Sequence, residues 1–412
     1  MRLIYDLGIQ LYSGGAWIAS FFDDKAKKFV EGRKNVFQTL SDKIDPQSKY
    51  VWIHAASLGE FEQGRPIIEK LKVIKPEYKI ILTFFSPSGY EVRKNYEGAD
   101  IVCYLPMDTS WNAKRFLSIV RPSYAIFIKY EFWKNYLSCL KEQNIPTYIV
   151  SAIFRPSQAF FKWYGGWYRS VLKNFTHLFV QNKESKELLS SIGVTNVSLA
   201  GDTRFDRVKD IAERAKQLPI VESFVGDSKV FIAGSSWPKD EAILIPYINE
   251  HPELKFIIAP HEIHEEHISK ILSMMKRPCV RYTQTNEEDV KNADCLIVDC
   301  FGLLSSIYRY GQVAYIGGGF GVGIHNILEA AVYGIPVMFG PNYKKFKEAV
   351  DMVDRGGAYS ISNETEFARL MDDFYSYNSI LYHKTAQVAA AYSDENKGAT
   401  EKVILKIFEV NL

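Results

Sequence analysis

The chain has 412 residues, of which 47% are hydrophobic, 14% aromatic and 24% charged. That predicts two or three domains with ample core and excludes a disordered, collagen-like or disulfide-scaffold chain. Fifty basic against 48 acidic side chains leave a net charge of +2, so no global basic field points to nucleic acid. The five cysteines (Cys103, Cys139, Cys279, Cys295, Cys300) are scattered and form no CxxC pair. They read as reduced thiols of a cytoplasmic protein, not as a disulfide framework or zinc knuckle.

Residues 3–22, LIYDLGIQLYSGGAWIASFF, are long enough for a bilayer-spanning helix. Asp6, Gln10, Ser13, Trp17 and Ser20 recur at spacings of four and three, which draws one narrow polar stripe along an apolar cylinder. No basic cluster precedes the segment and no small-residue cleavage site follows, which argues against a secretory signal. Residues 25–49 then hold seven bases and three acids. An apolar helix with a basic segment behind it suits an anionic membrane surface, more as a monotopic anchor than as a span. The competing reading is a helix packed on the domain core.

Short apolar runs follow at 50–55, 79–84, 101–105, 124–129, 146–150, 177–181 and 197–200, with helical spacing between most of them, as in 61–73. A second series lies at 229–233, 255–259, 295–298, 313–316 and 336–339. The alternation predicts an α/β protein of two doubly wound, Rossmann-like parallel sheets. A polar linker near 206–228 joins them, and a central cleft is expected where the C-terminal strand edges face each other.

In the second series, Val313–Ile316 runs into GGGFGVGIHNILEAAVYGIP (317–336). Glycines let backbone approach a phosphate, and a helix opening near His325–Asn326 would offer free amides. Gly318 and Gly319 are the turn candidates, and Glu329 can accept from both ribose hydroxyls. The spacing is neither GxGxxG nor Walker. The competing reading is a tight turn that needs positive φ. Ser235 and Ser236 of Gly234-Ser-Ser-Trp237 sit at a strand end, as phosphate ligands or as a plain cap. His261, His264 and His267 are spaced by three, but position 265 is Glu, so this is not HExxH and no metal is expected. No DxD occurs to hold a divalent ion on a nucleotide diphosphate.

In the first series, His54-Ala-Ala-Ser57-Leu-Gly59-Glu60 runs from a strand into a helix. Ser57 and Glu60 have capping-box spacing, and the same turn could hold an acceptor hydroxyl or phosphate. Lys129-Tyr-Glu131-Phe-Trp-Lys-Asn135 lies at another strand end. Phe160, Trp163, Tyr164, Trp167 and Val171 follow helical spacing, as core or as an amphipathic wall beside a lipid.

The HAASLGE loop, EFWKN, GDTRFD (201–206), GSSW, GGGFGVGIHNILEAAVYGIPVMFGP and the NKGAT segment (396–400) together resemble the Kdo transferases of Gram-negative bacteria. These enzymes transfer 3-deoxy-D-manno-octulosonic acid (Kdo) to lipid A precursors. The resemblance implies a GT-B fold, CMP-Kdo as donor and a lipid IVA-like acceptor. It further implies inversion at the anomeric carbon, no metal or other cofactor, and the cytoplasmic face of the inner membrane. The departures from the family pattern are at Gly302-Leu303, where many relatives carry Gly-Glu-Leu, at His261-Glu262, and at Lys345-Phe346. The implied organisation is a membrane-associated helix (1–24), an acceptor domain (25–206), a linker (207–228), a donor domain (229–395) and a C-terminal helix (396–412) that packs back on the acceptor domain.

An inverting displacement needs one carboxylate on the acceptor side to take the hydroxyl proton. The candidates are Glu31, Glu60 and Glu131. Glu31 is preferred: Lys27, Lys28, Arg33 and Lys34 could gather acceptor phosphates around it, and the resemblance puts the base in this region. The bland alternative is an i, i+4 surface pair with Lys27. Expected acceptor-binding residues are Arg33, Lys34, Ser57, Gly59, Glu60 and Glu131. Expected donor-binding residues are Ser235, Ser236, His261, Gly302, Gly318, Gly319, His325, Asn326 and Glu329. The rival functions are another GT-B activity on a UDP-sugar (an epimerase or a lipid glucosaminyltransferase) and a non-catalytic nucleotide-binding scaffold.

Overall fold

The computed structural model describes residues 2–215, 217–376 and 378–409. Position 216 of the expected linker and residues 410–412 of the expected C-terminal helix lie outside them. The chain forms two compact units, residues 1–206 with 397–412, and residues 207–396.

Seven strands build the first sheet: β1 (Lys49–Ala55), β2 (Tyr78–Phe84), β3 (Ile101–Tyr104), β4 (Tyr124–Ile128), β5 (Thr147–Ala152), β6 (His177–Val180) and β7 (Val197–Leu199). All pairs are parallel, in the order β3-β2-β1-β4-β5-β6-β7. The central strands are buried on both faces, which is why they read as unbroken apolar runs. Strand order reverses between β1 and β4, and ligands of such sheets bind beyond the strand ends at that switch point.

The second sheet has β8 (Lys229–Ser236), β9 (Leu254–Pro260), β10 (Cys279–Arg281), β11 (Cys295–Ile297), β12 (Val313–Ile316), β13 (Val337–Phe339) and β14 (Ala358–Ser360). Its order is β10-β11-β9-β8-β12-β13-β14, with the reversal between β8 and β12. The expected linker is not an extended connection: it carries most of helix Arg204–Glu213 and all of helix Pro219–Val225, whose Val221 and Phe224 are buried.

The chain returns to the first unit at Lys397. Helix Ala399–Phe408 buries Val403, Ile404, Ile407 and Phe408 against the core beneath helix Leu58–Ile74. Asp206 accepts from the Gly398 and Thr400 amides, 2.5 and 2.6 Å away. The last residue of GDTRFD therefore caps the helix that NKGAT opens, which explains both motifs at once.

Helix Arg2–Ala19 turns Tyr5 and Asp6 inward, while Gln10 and Trp17 of the expected stripe are exposed. The Tyr5 hydroxyl donates to Asp108 at 2.6 Å, and Asn135 Nδ2 donates to Asp6 at 2.7 Å. Ile4, Leu7, Leu11 and Ile18, which share one helical face, are exposed, as are Trp17, Phe21 and Phe22. The helix therefore packs on the first unit, through Tyr5, Asp6 and Tyr12, and leaves an apolar face exposed. No helix among the described residues is long and apolar enough to cross a membrane.

Candidate functional site

In the first unit, the switch point is organised by a buried relay. Trp52 Nε1 donates to Thr83 Oγ1 at 2.8 Å, and that oxygen lies 2.8 Å from His54 Nδ1. His54 Nε2 reaches Glu131 Oε2 at 3.0 Å. His54 Nδ1 also lies 3.1 Å from the Thr83 carbonyl oxygen, so the ring is held between Thr83 on one side and the Glu131 carboxylate on the other. Trp133 Nε1 donates to Glu131 Oε2 at 2.5 Å. Glu131 is only 7% exposed. It lies beyond β4 as expected, but as a buried anchor for its loop. Lys129, two residues before it, has φ of 69°, a strained conformation of the kind that collects at functional sites.

Ser57 and Glu60 lie beyond β1. The Ser57 hydroxyl donates to Glu60 Oε2 and makes no cap bond to helix Leu58–Ile74, so the expected capping box does not form. The half-buried Glu60 carboxylate sits on the first turn of that helix beside the exposed Gly59.

Glu31 and Lys34 are exposed. Glu31 ends helix Asp24–Glu31, and Gly32 packs against the Tyr104 ring at the end of β3. This is the edge strand, so Glu31 is not at the strand-order reversal. Arg33 has a different role from the one expected. Its Nε donates to the Leu105 carbonyl (2.9 Å), one terminal nitrogen to that of Phe29 (2.8 Å) and the other to that of Phe85 (2.5 Å). Its guanidinium lies over the Phe29, Phe85 and Tyr104 rings, and burial pulls its pKa down to about 10. A guanidinium pinned by three carbonyls holds the loop after β2 and is poorly placed to gather phosphates. Through Phe85, which packs on Trp133 at 4.6 Å, it supports the Glu131 loop.

In the second unit, the ends of β8 and β12 press together. A methyl on Gly317 would overlap Ser235 backbone, and one on Gly319 would overlap Gly340 backbone. Gly318 has φ of 92°. The run of glycines is thus required by close backbone packing and by one left-handed residue. Asp240, which sequence reasoning missed, holds this turn. Its Oδ2 accepts from the amides of Trp237 and Gly318, both at 2.9 Å, and its Oδ1 accepts from the Tyr315 hydroxyl at 2.7 Å. The only signal for it was an acid on the first turn of helix Pro238–Glu250. The Gly318 amide is therefore engaged inside the protein.

Ser236 is fully buried, and its hydroxyl donates to Glu241 at 2.8 Å. Glu241 in turn pairs with His267 at 2.9 Å. A hydroxyl has one proton, so Ser236 positions the loop and cannot also donate to a phosphate. Ser235 holds a strained φ of 52° and is half-buried at the mouth.

His261, Trp237 and His325 form a stack: Trp237 lies 4.7 Å from His261, and His261 lies 4.3 Å from His325. Trp237 Nε1 donates to His325 Nε2 at 3.0 Å. An indole can only donate, so Nε2 carries no proton and the neutral ring has its proton on Nδ1. Burial, reinforced by His261, lowers the His325 pKa to about 4.

The helix expected at His325 opens only at Leu328 and has four residues. Asn326 Oδ1 accepts from the Leu328 amide at 3.2 Å, and its Nδ2 donates to Glu329 at 3.1 Å, so Asn326 aims the half-buried Glu329 carboxylate. Gly302 is exposed with φ of 89° in the loop beyond β11, the neighbour of the β9 strand that leads into His261. Among the described residues, ligand atoms of Glu262, His264 and His267 lie within 4.8 Å of one another. His267 Nε2 is already held by Glu241 and His264 Nδ1 caps helix Glu265–Met274, which leaves a poor donor set for a metal.

Residues 30–207 match the family model described as 3-deoxy-D-manno-octulosonic-acid transferase (kdotransferase). Over 334 residues the chain is 29% identical to the 3-deoxy-D-manno-octulosonic acid transferase of Aquifex aeolicus, covering 79% of this chain and 86% of that one. The enzyme of the same name from Rickettsia prowazekii is 26% identical, covering 91% of this chain and 83% of that one. Among solved structures, UDP-GlcNAc 2-epimerase from Neisseria meningitidis bound to UDP-GlcNAc aligns with a TM-score of 0.61 at 16% identity. It covers 88% of this chain and 100% of that one. Acinetobacter baumannii MurG aligns at 0.55 with 11% identity, covering 88% and 100%. At such identities these two show the GT-B fold and nothing of the ligand.

Proposed function

We propose that this chain, which is similar to the Kdo transferases and has the GT-B fold, moves Kdo from CMP-Kdo to a lipid IVA-type acceptor, with inversion, at the cytoplasmic face of the inner membrane. The observation that carries this is the family match over residues 30–207, the stretch that builds the first sheet and its switch point.

The second unit takes the donor. Glu329 accepts ribose hydroxyls, while Ser235, Gly319 and the Nδ1–H of His325 meet the phosphate. A neutral His325 would contact the phosphate as a hydrogen-bond donor rather than as a cation. His261, stacked on Trp237, closes the same mouth. The first unit takes the acceptor, with Ser57, Gly59 and Lys34 as contacts and Glu131 as the fixed wall.

The geometry favours Glu60 over Glu31 as the base. Glu60 lies at the strand-order reversal, is oriented by the Ser57 hydroxyl, and has a glycine neighbour that leaves room for an approaching sugar. Its carboxylate takes the acceptor hydroxyl proton as the oxygen attacks the anomeric carbon. CMP leaves from the opposite face as a phosphate monoester and needs little acid help. The outward apolar face of helix Arg2–Ala19, followed by Lys25, Lys27 and Lys28, supports a monotopic seat on an anionic bilayer.

The test is product mass after incubation with a lipid IVA-type acceptor and either CMP-Kdo or UDP-GlcNAc. Kdo addition with the first alone is expected. Transfer from UDP-GlcNAc, or CMP-Kdo binding without product, would overturn the reading.

A further inference from the structure

Residues 160–171 were expected to form one helical stripe, but the chain breaks there. A single 3₁₀ turn at Ala159–Phe161 and helix Gly166–Leu172 flank a turn at 162–165. At its tip Trp163 is 92% exposed and Tyr164 is exposed beside it, the rings edge to face at 5.6 Å.

The turn is built to hold them there. Gly165 is buried so tightly that a methyl would overlap the Ala159 carbonyl oxygen. Arg169 donates to the carbonyls of Phe160 and Lys162, each at 3.2 Å, and so ties both sides of the bend. Behind the tip, Phe160 is buried against Phe132 and Phe154. A large aromatic pair held rigidly in water is costly unless something covers it.

The surrounding charge identifies the cover. No acidic residue occurs between Glu142 and Glu184, while Arg155, Lys162 and Lys173 flank the turn in sequence. Trp and Tyr favour the level of lipid headgroups, where an apolar ring meets a wet polar tip. The turn follows β5, on the same strand-end side of the sheet as Ser57 and Glu131. Trp167 contacts Tyr5 of the N-terminal helix at 5.7 Å, which places the tip beside that helix.

We propose that the Trp163–Tyr164 turn is a second membrane contact, its two rings seated among the headgroups of an anionic bilayer while the bases around it meet the lipid phosphates. This rests on the reading that the enzyme works at a membrane. It adds that the strand-end side of the first sheet faces the lipid, so that a lipid acceptor reaches the site without leaving the bilayer.

The experiment compares the full chain with the Trp163→Ser/Tyr164→Ser variant in sedimentation with phosphatidylglycerol-containing vesicles. Kdo transfer to an acceptor dispersed in detergent is measured alongside. Removing the two rings takes away the apolar surface that the headgroup layer would cover, so vesicle affinity should fall about tenfold or more. Detergent-phase turnover and the melting temperature should stay the same. Unchanged vesicle binding would overturn the proposal. A raised KM for the detergent-dispersed acceptor with unchanged vesicle binding would also overturn it, since the rings would then belong to the acceptor. If the full chain transfers no Kdo in detergent, the functional reading fails, while the vesicle result still decides the membrane contact.

Discussion

Asp240→Ala should loosen the glycine turn after β12 more than any other single change within it. The side chain is fully buried and accepts from three donors, the Trp237 and Gly318 amides and the Tyr315 hydroxyl. Leaving a buried donor unpaired costs about 1–3 kcal/mol each, and partial access to water brings the sum to roughly 3–5 kcal/mol. Asp240→Asn is the discriminating partner. Its amide oxygen can face the two N–H groups, and its NH₂ can donate to the Tyr315 oxygen, which accepts as well as donates. Burial raises the Asp240 pKa despite the three bonds, so the charge itself is a net cost that Asn removes. Asn should therefore cost only about 1 kcal/mol. Hydrogen exchange over 313–326 reads the turn directly, with thermal unfolding as the global measure. Ala should speed exchange there by two orders of magnitude or more, and Asn should stay close to the parent. Parent-like exchange in Ala, or equal damage in Ala and Asn, would refute the idea that this carboxylate positions the turn by accepting these bonds.

Glu60→Gln should lower turnover ~10²–10⁴-fold with CMP affinity unchanged, while the exposed Glu31→Gln should stay within a few-fold of the parent, both read by steady-state transfer assays. The reverse outcome would return the base to Glu31. Arg33→Lys should destabilise by ~2–4 kcal/mol in denaturant unfolding, because an ammonium cannot reach three carbonyls, yet leave CMP affinity intact. The folded-state pKa of His325 lies below its unfolded value of 6.5, at about 4. Its stabilising contribution is thus present above pH 6.5 and lost as pH falls towards 4. Melting scans should show that loss, and His325→Gln should reduce it. Asp108, raised to about 6 by burial, has the opposite sign: its contribution is present below 3.8 and lost as pH rises through 6, so the parent–variant difference is the quantity to read. Leu7→Gln/Leu11→Gln/Ile18→Gln should weaken sedimentation with anionic vesicles without unfolding the helix, whose inward contacts are Tyr5 and Asp6.

What the sequence determined by itself was whatever local chemistry repeats. Twelve apolar runs marked twelve of the fourteen strands, because a strand buried on both faces must be apolar throughout. The two that it hid, Cys279–Arg281 and Ala358–Ser360, are three-residue strands at opposite edges of the second sheet, where half-burial leaves no continuous apolar run. The glycine turn was legible because close-packed and left-handed backbone at a strand end requires glycine. Tertiary structure alone decided the rest. It decided that Arg33 serves the Leu105 and Phe85 carbonyls and that Asp240 holds the turn through Tyr315 and Gly318, since a hydrogen-bond partner distant in sequence leaves no periodic trace. It decided too which side of the first helix faces out. A stripe of small and polar residues looks the same whether it meets water or a domain, until Asp108 from a loop and Asn135 from a helix, each more than a hundred residues away, bind Tyr5 and Asp6.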